Sequence, residues 1–124
     1  MPNKDTYILT CHCRSVEIEL NLPDGLKNVL RCNCSICKKR SAIVALVDDT
    51  NLKIVKGEDK LSLYQFHTFT AKHYFCSKCG IYTHHNTRSN PKKYGFNLSC
   101  VEGIDSYNVE DIRNFDGINH PLDK

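Results

Sequence analysis

Phe75-Cys76-Ser77-Lys78-Cys79-Gly80-Ile81-Tyr82-Thr83-His84-His85 decides how this chain folds. The stretch from Thr68 to Phe75 reads as a strand, two cysteines two residues apart follow it, then a glycine, and Ile81 to His85 leads back out. Thiolates at this spacing converge on one tetrahedral ion, with Zn–S bonds near ~2.3 Å. Gly80 supplies the permissive backbone angle that turns main-chain N–H groups toward the sulfurs. The segment therefore predicts a metal-knuckle hairpin. A thioredoxin-like redox pair fits less well, because no βαβ pattern surrounds it.

Working outward, the other cysteines cluster too. Eight occur in 124 residues, as Cys11-x-Cys13, Cys32-x-Cys34-x2-Cys37, Cys76-x2-Cys79 and a lone Cys100. A disulfide framework is the competing reading. Residues two apart are poorly placed to bridge each other. The charged N-terminus Met1-Pro2-Asn3-Lys4-Asp5-Thr6 has no apolar run behind it, so no signal peptide is expected and the cytoplasm is the expected location. Nowhere do eighteen apolar residues follow one another, so no membrane partner is expected.

Two thiolates do not close a tetrahedral site, and both Cys11/Cys13 and members of the Cys32–Cys37 group are candidates to complete Cys76/Cys79. Parsimony joins pair to pair and leaves the triplet Cys32, Cys34 and Cys37. Four thiolates make a closed structural site, whereas three ligands leave a position open, the pattern of reactive zinc. Two zinc ions are thus expected, one structural and one open. Lys38-Lys39-Arg40 follows the triplet directly. On surface statistics a basic run is a solvated face, but cations here lower thiol pKa values and can hold a substrate carboxylate, which makes all three candidate substrate-binding residues. Cys100 could complete the second site, cap its entrance or sit reduced in the core, and the last reading is favoured. His84 and His85 should point to opposite faces of a strand; His12, His67, His73 and His120 are given no role.

The remaining sequence reads as mainly β, in one domain spanning residues 1–124. Val16-Glu17-Ile18-Glu19-Leu20 alternates, Pro23-Asp24-Gly25 turns, and Ala42 to Val47 is a continuous apolar run suited to a central strand. Asp48-Asp49-Thr50-Asn51 closes that run, and Leu52 to Lys56 and Leu61 to Phe66 alternate around the turn Gly57-Glu58-Asp59-Lys60. Ser89-Asn90-Pro91 is a loop, Tyr94 to Cys100 a late strand, and Val109 to Asn114 a turn of helix. The formal charge of +3 is cancelled by seven thiolates and two divalent ions, which leaves little electrostatic case for nucleic acid.

Taken together, the motifs resemble the glutathione-dependent formaldehyde-activating enzymes, whose domain is shared with centromere protein V. The matching stretches are Cys11-His12-Cys13, Arg31-Cys32-Asn33-Cys34-Ser35-Ile36-Cys37-Lys38-Lys39, Gly57-Glu58-Asp59-Lys60-Leu61-Ser62-Leu63-Tyr64, Phe75 to Gly80, and Phe115-Asp116-Gly117. The resemblance runs from about Thr10 to Gly117. Thr10 and Arg14-Ser15 depart from it, standing where many members place small residues. The resemblance implies tent-like stacked β-sheets pinned by zinc knuckles. It also implies that Cys11, Cys13, Cys76 and Cys79 share a structural ion, while Cys32, Cys34 and Cys37 hold a second, catalytic one. The implied activity adds glutathione to formaldehyde, a carbon–sulfur lyase reaction of the S-hydroxymethylglutathione synthase type. The rival reading is a non-catalytic, zinc-stabilised module that binds protein or nucleic acid; a tightly closed fourth position at the triplet would favour it.

Overall fold

The computed structural model describes residues 5–23, 25–26, 29–66, 69, 71–87 and 92–116. Along these run β1 (Thr6–Thr10), β2 (Glu17–Asn21), β3 (Leu30–Cys32), α1 (Ser35–Arg40), β4 (Val44–Asp48), β5 (Leu52–Lys56), β6 (Leu61–Tyr64), β7 (His73–Cys76), β8 (Tyr82–Asn86), β9 (Lys93–Asn97) and β10 (Arg113–Phe115). They form a three-stranded sheet, β1-β2-β5, and a seven-stranded sheet, β10-β3-β4-β9-β8-β7-β6. The fold is mainly β, as expected. Neighbouring strands are antiparallel except β10, which runs parallel to β3.

Period-two alternation explains the packing. In the small sheet Leu9 pairs with Ile18 and Tyr7 with Leu20, and Leu9, Ile18 and Leu20 are fully buried. In the large sheet Ala45 pairs with Phe96 and Val47 with Tyr94, on the face that shares the same hydrophobic core. Full burial of a side chain like Phe96 contributes on the order of 1.5–3 kcal/mol. The opposite face of the large sheet carries a smaller cluster, Leu30, Val44 and Tyr82, against which Cys32, Ala42 and Leu46 pack.

A β-bulge shapes that second face. His73 pairs with His85 and Tyr74 with His84, but Phe75 pairs with Tyr82, so Thr83 is the extra residue. Inserting one residue reverses the alternation beyond it. Tyr82 and His85 therefore share a face, and Tyr82 Oη lies 2.6 Å from His85 Nδ1. Gly95 pairs with His85, and a Cβ there would collide with the His85 ring, so the ring occupies space that only glycine leaves.

Three sequence expectations change. Tyr94 to Cys100 is not one strand: β9 ends at Asn97, whose side chain accepts from the Ser99 N–H at 3.2 Å and caps a 3-10 turn over Leu98–Cys100. Val109 to Asn114 is not helical. Asp111 has φ +59°, and the Arg113 N–H donates to Val29 C=O at 3.0 Å, so the segment ends as β10 on β3. The strand foreseen from Thr68 starts at His73, after Phe69 in a left-handed bend with φ +57°. The turn at Asp24, the loop Ser89-Asn90-Pro91, and Gly117, His67 and His120 lie outside the described residues.

Candidate functional site

Cys11 follows β1 in the small sheet, and Cys76 ends β7 in the large one. The sulfurs of Cys11, Cys13, Cys76 and Cys79 all lie within 4.8 Å of one another, so the group could hold a metal ion and tie the two sheets together. Cys13 Sγ stands 3.7 Å from both Cys11 Sγ and Cys76 Sγ. The backbone supports the sulfurs: Val16 N–H donates to Cys11 Sγ at 3.3 Å and Lys78 N–H to Cys76 Sγ at 3.4 Å. Gly80 has φ +80° with open space where a Cβ would stand, so the left-handed angle, not crowding, asks for glycine. Burial pushes the Cys11 thiol up to about 11, while hydrogen bonds of Ser15 bring the exposed Cys13 down to about 6.

The triplet forms by local geometry alone. Cys32 ends β3, Cys34 is the residue before α1, and Lys38 N–H donates to Cys34 C=O at 2.9 Å. One helical turn then brings Cys37 back beside Cys34. Ser41, at φ +53°, ends the helix, its N–H donating to Cys37 C=O at 3.0 Å. The three sulfurs lie within 4.8 Å of one another, and among the described residues no further His, Cys, Asp or Glu joins them. Hydrogen bonding with Cys32 and Cys37 holds Cys34 far below the usual thiol range, and the same sharing pushes Cys37 up. Crowded thiols that resist losing successive protons are suited to a cation that neutralises them.

Cys100 belongs to neither cluster. It is partly buried, packs on the core, and points its thiol at Tyr82 C=O, 3.8 Å away; burial raises it to about 11.

Beside the triplet lies a cleft of 750 Å³ whose lining includes Cys32, Cys37, Arg31, Lys38, Asn114 and Phe115. The basic run divides here. Lys38 and Lys39 are exposed, and Lys38 lines this cleft. Arg40 turns the other way, under a second cleft of 710 Å³ that includes His73, Tyr64 and Tyr82. Its Nη2 lies 3.5 Å from Cys37 Sγ, its Nη1 3.2 Å from His73 Nδ1, and its guanidinium carbon 3.7 Å above the Tyr82 ring.

Sequence reading missed Arg31, the β10 wall and the cluster of Tyr82, His73 and His85 on Arg40. The rings of His73 and His85 stack with centroids 5.3 Å apart. His84, on the opposite face, is buried between Tyr74 and Tyr94. Burial lowers His84 to about 4 and His85 to about 3. An Arg N–H can only donate, so His73 Nδ1 accepts and its proton resides on Nε2. The available signal was the pairing register, which needs the bulge to be known.

Among the described residues no helix is long and apolar enough to cross a membrane.

Comparison with known proteins agrees with these features. The family description "Glutathione-dependent formaldehyde-activating enzyme" matches residues 6–113. Two provisionally named glutathione-dependent formaldehyde-activating enzymes are similar. The one from Colletotrichum graminicola is 27% identical over 65% of this chain and 44% of its own length. The one from Penicillium rubens is 31% identical over 60% of this chain and 40% of its own. The chain thus spans less than half the length of these curated relatives. A crystal structure of a Rhodobacter sphaeroides protein is 47% identical, with a TM-score of 0.82, covering 86% of this chain and 98% of that one. The chain belongs to the glutathione-dependent formaldehyde-activating enzyme family.

Proposed function

We propose that this chain is a zinc-dependent enzyme of the carbon–sulfur lyase type that joins a glutathione-like thiol to formaldehyde or a related aldehyde. The observation that carries the reading is the triplet: three sulfurs gathered within 4.8 Å, no fourth ligand among the described residues, and a 750 Å³ cleft alongside. Cys11, Cys13, Cys76 and Cys79 would hold a structural zinc; Cys32, Cys34 and Cys37 would hold the second. Zinc in such a site supplies a Lewis-acidic position that favours the thiolate form of a bound thiol at neutral pH.

The reaction itself is an addition. The thiol sulfur forms a bond to the carbonyl carbon, the C=O π pair moves to oxygen, and the proton lost by the thiol ends on that oxygen. No oxidant or reductant is needed. Arg31 and Lys38 line the cleft and would supply positive charge to the carboxylates of a glutathione-like thiol.

The test follows ¹³C-formaldehyde and reduced glutathione by NMR exchange, with zinc-loaded parent protein, the Cys34→Ser variant and buffer. Formation of S-hydroxymethylglutathione faster than in buffer, and lost in Cys34→Ser, is expected. Calorimetry adds a second arm: reduced glutathione should bind and its S-methyl form should not. Equal binding of both with no rate gain would sink the enzyme reading in favour of a non-catalytic binding module.

A further inference from the structure

Arg40 is the cation of the basic run that is partly buried. Its Nε is buried and has no hydrogen-bond partner, and among the described residues no carboxylate forms an ion pair with it. Its neighbours are a histidine ring nitrogen, an aromatic face and the sulfur of Cys37. A guanidinium does not lose its proton, so it stays charged in this setting. Neither the neutral histidine nor the Tyr82 ring carries a full negative charge. Among the described residues that touch it, the neighbour that can is the sulfur of Cys37.

We infer that Arg40 is a positioning residue that serves as the fixed counter-charge of the cysteine triplet, holding its thiolates together around a metal ion and admitting a further anionic ligand. This rests on the metal-binding part of the proposed function and goes beyond it. The argument is one of charge. Three thiolates around a divalent ion leave one net negative charge, and a fourth thiolate would leave two. In a partly buried site that accumulation is unfavourable unless a cation sits beside it. Arg40 touches Cys37 but is not part of the lining of the 750 Å³ cleft, so it balances charge without blocking entry there.

Its surroundings fix it there. The Tyr82 ring lies beneath it at 3.7 Å, an attractive cation–π placement. His73 Nδ1 takes an N–H on one side, while His73 itself is 6% exposed and pinned by stacking on His85 and Phe66. The β-bulge at Thr83 is what brings Tyr82 onto this face with His85. Planar donors on a rigid platform suit a neighbour that orients a metal ligand, and loss of such a partner typically lowers metal affinity about 10–100-fold.

The experiment compares the parent with Arg40→Met, Arg40→Gln and Arg40→Lys, loaded with zinc at one pH and titrated with a chelator while native mass spectrometry counts ions per chain. Cys34→Ser identifies the loss step that belongs to the triplet. Expected is loss of the triplet ion at about ten-fold lower chelator in Arg40→Met and Arg40→Gln, with retention within about three-fold in Arg40→Lys. The four-cysteine ion should leave at the parent's concentration in all three. If Arg40→Met does not fold, Arg40→Gln carries the test, since its amide keeps a donor without the charge. Triplet affinity unchanged in the neutral variants overturns the inference. So does an equal fall in the Lys variant, which would make the guanidinium's packing, not its charge, the cause. The glutathione arm is read separately: failure of the parent to discriminate reduced from S-methyl glutathione sinks the proposed enzyme but leaves the chelator result to decide Arg40.

Discussion

Replacing the two more accessible ligands of the four-cysteine cluster, Cys13→Ser with Cys79→Ser, should cost far more stability than Cys32→Ser with Cys34→Ser in the triplet. Cys13 is exposed and Cys79, Cys32 and Cys34 are partly buried, and a Cys→Ser change removes little volume, so lost packing is small in both pairs. What differs is the loop each metal would close. The four-cysteine group joins positions 63 residues apart, from Cys13 to Cys76. Treating the ion as a cross-link, the chain-entropy relation gives about 4 kcal/mol for a loop of that length and only about 1.5 kcal/mol for a loop of a few residues. For a chain of this size 1 kcal/mol moves the thermal midpoint by roughly 3–5 °C. The first double variant should therefore melt roughly 12–20 °C lower, and the second roughly 5–8 °C lower. Scanning calorimetry on zinc-loaded protein measures both, and a chelator that strips both ions should bring the parent below the first variant, which keeps the triplet ion. Equal shifts in the two double variants would refute the division into a cross-link between sheets and a local loop.

Zinc-loaded parent should carry two ions per chain by native mass spectrometry and lose them in separate steps on chelation; one step for both would contradict two unlike sites. Lys38→Ala should weaken reduced-glutathione binding two- to five-fold by calorimetry while Lys39→Ala leaves it unchanged, because Lys38 lines the cleft and Lys39 does not; both should move stability by under about half a kcal/mol. His84, held down at about 4 by burial, binds its proton more readily unfolded than folded, so its contribution is complete above pH 6.5 and is lost as pH falls from there toward 4. Urea unfolding in excess zinc should show a slope with pH in that window that drops by about 1.4 kcal/mol per pH unit in His84→Gln; the same slope in both proteins would mean His84 titrates normally.

Much of the fold was readable because its signals are local. Val16 to Leu20 alternates and becomes β2 one residue on; the apolar run at Ala42 becomes β4, an interior strand with β3 and β9 on either side. The errors fall where a side chain or a distant strand decides the backbone. Asn97 ends a strand by offering its own acceptor to Ser99 N–H, and β10 exists only because β3 supplies hydrogen-bond partners from about eighty residues earlier. The helix α1 was hidden for another reason. Six residues are too few to show a period, and Ser35-Ile36-Cys37-Lys38-Lys39-Arg40 carries no capping side chain, since Cys34 precedes it without a side-chain hydrogen bond.

The site divides along the same line. Cysteine spacing speaks directly because ligand geometry is written in short intervals, and both groups of sulfurs gather as the pattern implied. The basic run does not, because three adjacent cations on one short helix point in different directions. Lys38 and Lys39 follow the helix outward, while Arg40, at the last position, reaches across to β7 and β8. What receives it was unreadable: His73 on β7 with Tyr82 and His85 on β8, aligned by one extra residue at Thr83 and by the missing side chain at Gly95. The bulge is the decisive step. Without it Tyr82 would lie on the face opposite His85, and Arg40 would have no ring beneath it. A charge placed beside the thiolates thus depends on a register shift in a strand that contributes no sulfur to the triplet.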